Sequence, residues 1–254
     1  MYRIWFVLAF SAILLVDVSF SQDNELVMVT DPFDHRDIDN IPRVKTQPDD
    51  KNEMTAKEII FAVRNGVFEV FNIDGYSLPE VTYNFKKIDS ECGPVDSSGY
   101  CPSDNRIYIA RKHMDLAYSH YGGDAALAFI VAHEYAHALQ GIAERIGMGR
   151  FLKSDEKTLK NRELQADCLA GVILHWIPNI YFDKYDVDEI RAAAYLLGDF
   201  SDWEKIYTGK KWKPGGHHGV PKERLAAVES GMQAGKREDA LDICEELFYY
   251  FRRK

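Results

Sequence analysis

Residues 124–146 read DAALAFIVAHEYAHALQGIAERI, a stretch without proline and with Gly141 as its only glycine. Gly122-Gly123 breaks the chain just before it and Asp124 is a favourable N-cap, so one long helix is predicted from Ala125 to Ile146. Within it, His133-Glu134-Tyr135-Ala136-His137 fits H-E-x-x-H. Residues four apart stack on one face of a helix, so both imidazoles can hold one ion. Glu134 follows about 100° round the helix, near enough to reach a metal-bound water without itself being a ligand. Two neutral imidazoles suit zinc. The alternative is a pair of ordinary histidines on an amphipathic helix. Against it, Ile130, Val131, Ala132, Ala136 and Leu139 make the element a buried one, where polar side chains need a reason to be.

A catalytic zinc site needs a third protein ligand and one open position. Glu163, in Glu163-Leu164-Gln165-Ala166-Asp167, lies 26 positions after His137 on the next predicted helix, and a helical hairpin can deliver it. Asp167 is four residues further, on the same face, where it can accept the second ring N–H of a liganding histidine and fix its tautomer. Like charges at this spacing are mildly destabilising unless a cation offsets them, the alternative being a solvated face with Lys160 and Arg162.

Working outward, Thr55 caps a predicted helix whose apolar residues Ile59, Ile60, Val63, Val67, Val70 and Phe71 recur at spacings of three and four, ended by Asp74-Gly75. Val81 to Phe85 and Arg106 to Ala110 are candidate strands of one small sheet. From residue 112 onward the signals are almost all helical. A helix starts at Ser154 or Asp155 and is stopped by Pro178, and others are expected near 187–197, 221–233 and 238–251. The fold class is therefore α+β, mostly helical, with a small β-sheet beside the long H-E-x-x-H helix.

The chain has 254 residues, 46% hydrophobic and 28% charged, which suits a packed protein and excludes disordered or low-complexity architecture. A net charge of −9 disfavours nucleic acid as a partner. Residues 1–21 read as a signal peptide: Arg3 is basic, Ile4 to Val16 is apolar, and Ser19-Phe20-Ser21 offers small residues at a cleavage site. A membrane anchor is the alternative, but the run stops at Asp17, short of the roughly 20 residues a bilayer requires. No stable membrane insertion is expected after cleavage. Residues 22–54 form a polar linker or arm, and 55–254 the functional domain. The four cysteines suit an extracytoplasmic location, secreted or periplasmic. Cys92 and Cys101 flank a Gly, Pro and Ser-rich stretch that reads as a tight loop, so their pairing is the local solution and Cys168 with Cys244 would follow. A buried free thiol at Cys168 is the alternative.

Taken together, Cys92-Gly93, Tyr100-Cys101-Pro102-x-Asp104, Ala132-His133-Glu134-x-x-His137, Glu163-Leu164-Gln165-Ala166-Asp167-Cys168-x-Ala170-Gly171, Leu197-Gly198-Asp199 and His218-Gly219 resemble the neutral zinc metallopeptidase family of bacteria. The likeness runs over roughly residues 55 to 250. It implies a zincin-like metallopeptidase with one catalytic Zn2+ held by His133, His137 and Glu163, and with Glu134 as base. Where similar proteins tend to show small hydroxyl residues after His218-Gly219, this chain has Val220-Pro221.

The expected activity is endopeptidase hydrolysis of peptide or protein substrates, a zinc-activated water losing its proton to Glu134. An oxyanion needs a second donor. His217, His218 and Tyr135 are candidates, His218 first because it sits in a Gly-rich loop, although a solvent-exposed histidine pair in a turn is the plainer reading. Two other functions fit the same residues: a zinc-containing but catalytically silent binding module, and a metal-dependent hydrolase of non-peptide amides or esters. A structural zinc site, however, is normally closed by four ligands rich in cysteine and has no use for a glutamate at the base position.

Overall fold

The first helix, α1 (Ala56–Phe71), starts where its capping chemistry puts it: Glu58 accepts hydrogen bonds from the Thr55 backbone N–H and hydroxyl, and Thr55 Oγ1 accepts the Glu58 N–H. Its Ile59, Val63, Val67 and Val70 face the core. The computed structural model describes residues 54–71, 78–145, 156–198, 218–234 and 242–244. The expected signal peptide, the arm up to residue 53, the Asp74-Gly75 stop and the start of the helix near Ser154 lie outside them.

Five short strands follow: β1 (Glu80–Phe85), β2 (Ile88–Ser90), β3 (Gly93–Val95), β4 (Gly99–Cys101) and β5 (Arg106–Ala110). β5 lies between β1, which it pairs in parallel, and β4, which it pairs antiparallel, while β2 and β3 form a separate two-stranded ribbon. The two longer strands match the sequence expectation. The stretch between Cys92 and Cys101, expected as a tight loop, instead contributes β3 and β4. Strands of three residues are too short to display the alternation by which strands are recognised. The disulfide Cys92–Cys101 closes this segment.

The rest is helical: α2 (Arg111–Leu116) leading into a π-helical turn (Ala117–Tyr121), then α3 (Asp124–Arg145), α4 (Glu156–His175), α5 (Lys184–Leu196) and α6 (Pro221–Met232). α3 is the central element, packed against α1, α4, α5 and the β4–β5 side of the sheet. Leu127, Phe129, Val131, Ala132, Tyr135 and Ala136 on it are all but inaccessible, the pattern of a helix surrounded on all sides. Asp124 does not cap this helix. Its carboxylate accepts the Met54 N–H at 2.7 Å, while Glu189 of α5 reaches over to accept the Ala125 N–H at 3.2 Å. α5 begins three residues earlier than expected, because Asp183 accepts from Tyr185 and Asp186 N–H while Asp186 accepts from Asp183 N–H. Of the helix expected at 238–251, residues 242–244 are described and are helical.

α4 and α6 cross at very close range. A β-carbon on Gly171 would lie 2.2 Å from Val228 O, and one on Gly231 would lie 1.9 Å from Cys168 O, so glycine on both helices is what lets the backbones touch. Nearby, the disulfide Cys168–Cys244 ties α4 to residues 242–244, and no free cysteine is left. The free-thiol alternative for Cys168 is thereby set aside. Among the described residues, no helix is long and apolar enough to cross a membrane.

Candidate metal centre

α3 and α4 lie side by side, and their facing surfaces bring His133, His137 and Glu163 together. The Nε2 atoms of the two histidines are 3.1 Å apart, and each is 3.3 Å from an oxygen of Glu163. Three donors bound tetrahedrally at about 2.0–2.1 Å would be separated by about 3.3 Å, so these spacings match the face of a zinc coordination tetrahedron. The imidazole planes are nearly perpendicular, 88° with centroids 4.6 Å apart, so the nitrogens meet while the rings stay clear of each other.

The electrostatics point to a cation. Burial raises the Glu163 carboxyl, but the two imidazoles outweigh it and hold it well below the usual range. Burial likewise opposes charge on His133, yet the Asp167 and Glu163 carboxylates prevail and lift its pKa to about 10. The carboxylates thus demand positive charge at this point, a demand that a divalent ion meets in place of protons. Glu134 is 8% exposed, and burial pushes its carboxyl up against the downward pull of His133 and His137.

Each histidine has an outer partner. Nδ1 of His133 lies 2.9 Å from Asp167 Oδ1, a short charge contact without the alignment of a directed hydrogen bond. Arg224 of α6 donates to both Asp167 oxygens, at 2.7 and 2.6 Å, and to Leu197 O at 2.8 Å. The guanidinium keeps the fully buried Asp167 carboxyl low despite its burial. His137 Nδ1 lies 2.9 Å from Gln140 Oε1, and Gln140 Nε2 donates to Arg162 O and Gln165 Oε1.

Arg224, Gln140 and Gln165 were not singled out in the sequence. Gln140 had a faint signal, three residues after His137 and so on the same side of the helix. Arg224 had none, because a lone arginine on a distant helix reveals its partner only once α6 is docked. His218 is exposed and precedes Gly219, whose backbone packs on the Leu164 side chain next to Glu163; His218 itself is not one of the three donors. His217 lies outside the described residues. Tyr135 is wholly buried in the core with an unpartnered hydroxyl, which removes it as an oxyanion donor. A second group of carboxylates, Asp124, Asp186 and Glu189, gathers at the other end of α3 beside a cavity of about 310 Å³ walled by Ile59, Val63, Ala128 and Phe182. Asp124 is nine residues from His133, about 13 Å along the helix.

A zincin-like fold with an H-E-x-x-H helix and a downstream glutamate defines a class of zinc peptidase. The chain belongs to the family described as "Putative neutral zinc metallopeptidase", whose model matches residues 7–242. It is 26% identical over 196 residues to uncharacterized proteins of Mycobacterium tuberculosis and Mycobacterium bovis, covering 69% of this chain and 67% of theirs. It is also 29% identical over 145 residues to the uncharacterized protein YpfJ of Escherichia coli K12, covering 54% of this chain and half of YpfJ. No solved structure matches the chain.

Proposed function

We propose that this protein is a zinc-dependent endopeptidase working outside the cytoplasm on peptide or protein substrates. The observation that carries the reading is the convergence of His133, His137 and Glu163 at tetrahedral spacing, with Glu134 on the same helix. Zinc held by these three donors would supply Lewis acidity, polarising a carbonyl and making water acidic near neutral pH. Glu134 takes the proton of the attacking water and passes it to the leaving amine nitrogen. Asp167 and Gln140 hold the two imidazoles in place from behind. His218, exposed and next to Gly219, which packs on Leu164, is the candidate second donor to the developing oxyanion, and His218→Ala should then slow turnover without changing zinc content.

Location outside the cytoplasm is supported by the pairing of all four cysteines, in accord with a signal peptide at residues 1–21. N-terminal sequencing of the exported protein separates a cleaved chain beginning at Gln22 from a membrane-anchored one.

The function is tested by exposing denatured protein mixtures to the zinc-loaded chain and to Glu134→Gln, and counting new peptide termini by mass spectrometry. New termini are expected only with the unmutated chain, both proteins carrying zinc. No new termini with either protein would favour a silent binding module or a hydrolase of non-peptide amides or esters.

A further inference from the structure

We infer that Gln140 is a positioning residue that selects the tautomer of His137, and with it the nitrogen that His137 presents to the ion. This rests on the zinc reading of the site. The backbone carbonyl of Arg162 can only accept a hydrogen bond, and it lies 2.9 Å from Gln140 Nε2. The amide end at that position is therefore the NH2, and the carbonyl oxygen is the other end. That oxygen lies 2.9 Å from His137 Nδ1 and it, too, can only accept. Nδ1 must then carry the hydrogen, which leaves the lone pair of the neutral ring on Nε2, the atom facing His133 and Glu163.

Gln165 holds the arrangement from a second side, its Oε1 accepting from Gln140 Nε2 at 3.0 Å. Gln140 and Gln165 are 1% and 4% exposed, so water does not compete for these bonds. Gln140 is three residues after His137 on α3, and Gln165 two residues after Glu163 on α4. One pair of amides thus ties together the two helices that carry the ligands. An amide does this without adding a further buried negative charge beside Glu134, Glu163 and Asp167.

Nitrogen-15 spectra of the imidazoles in the zinc-free full-length protein should show His137 Nδ1 carrying its hydrogen, whether or not Nε2 is protonated as well. An Nε2–H tautomer overturns the inference. Competition against a chelator should show Gln140→Leu binding zinc about 10- to 100-fold more weakly than the unmutated chain. Gln140→Glu keeps the oxygen that faces His137 Nδ1 but sets its other oxygen against the Arg162 carbonyl and adds a buried charge, so it should keep the tautomer and lose stability. Equal zinc affinity in folded Gln140→Leu also overturns the inference. Should that variant not fold, the spectrum of the unmutated chain decides. An unmutated chain that binds no zinc would sink the zinc reading, whereas the tautomer is read without zinc.

Discussion

Arg224 and Asp167 meet across the α4–α6 crossing through two parallel hydrogen bonds, their side chains 3% and 0% exposed. The same carboxylate stands behind His133, so one ion pair serves both packing and the site. Breaking the pair from one side leaves the buried Asp167 charge without its guanidinium and out of reach of water. Arg224→Met should therefore cost about 3–5 kcal/mol in urea unfolding at neutral pH. The double variant Arg224→Met with Asp167→Leu should recover most of that loss while its zinc affinity falls, which separates the pair's structural role from its role behind His133. A single variant as stable as the parent would show that Asp167 is relieved by some other route.

Close approach at this crossing makes a second prediction. Gly231→Ala places a methyl 1.9 Å from Cys168 O, with rigid backbone rather than a flexible side chain in the way. α4 carries Glu163 and Asp167, and α6 carries Arg224, so the helices cannot part without moving the site. A loss of about 3 kcal/mol or more is expected, together with weaker zinc binding. Gly99→Ala, with nothing near its added carbon, is the control, and its unfolding midpoint should shift far less.

The parts of this molecule legible in the sequence share one property: their signal is local. His133, Glu134 and His137 announce themselves by helical spacing, and Glu163 with Asp167 by an acidic pair that burial in an apolar helix makes costly. Thr55 caps α1 where the sequence placed it. What stayed hidden depends on partners far apart in the chain. Glu189 closes the start of α3 from 64 residues away, displacing Asp124 from the capping role its position suggested. Arg224 finds Asp167 from 57 residues away. β3 and β4 exist because β2 and β5 give them partners.

The two disulfides should differ in worth because they close loops of different length. Cys92–Cys101 spans 9 residues and Cys168–Cys244 spans 76. Loop-closure entropy puts the first near 2.5 kcal/mol and the second near 4.5 kcal/mol. Urea unfolding of the paired alanine variants should show the larger loss for Cys168/Cys244, and zinc affinity should fall in that variant alone, since Cys168 follows Asp167 directly on α4.

Glu189 makes stability depend on pH in a direction opposite to that of a salt-bridged carboxylate. Burial, with the Asp124 carboxylate of α3 and the Asp186 carboxylate of its own helix, raises its pKa to about 7 against the lowering effect of the Ala125 and Ala126 N–H groups. A carboxyl raised in the folded state binds protons more readily there than in the unfolded chain, where its pKa is about 4.3. Its contribution is therefore most favourable below about pH 4 and is lost as pH climbs through about 7. Glu189→Gln keeps an oxygen to accept the Ala125 N–H and cannot ionise. Relative to the unmutated chain, the variant should gain about 1–2 kcal/mol at about pH 8, a figure discounted for solvent screening, and the gain should vanish near pH 4. Urea midpoints of the two proteins across this range are the measurement. A gain independent of pH would mean that the glutamine merely packs better, and no gain at about pH 8 would mean that the three carboxylates at this end of α3 share their charge with a cation.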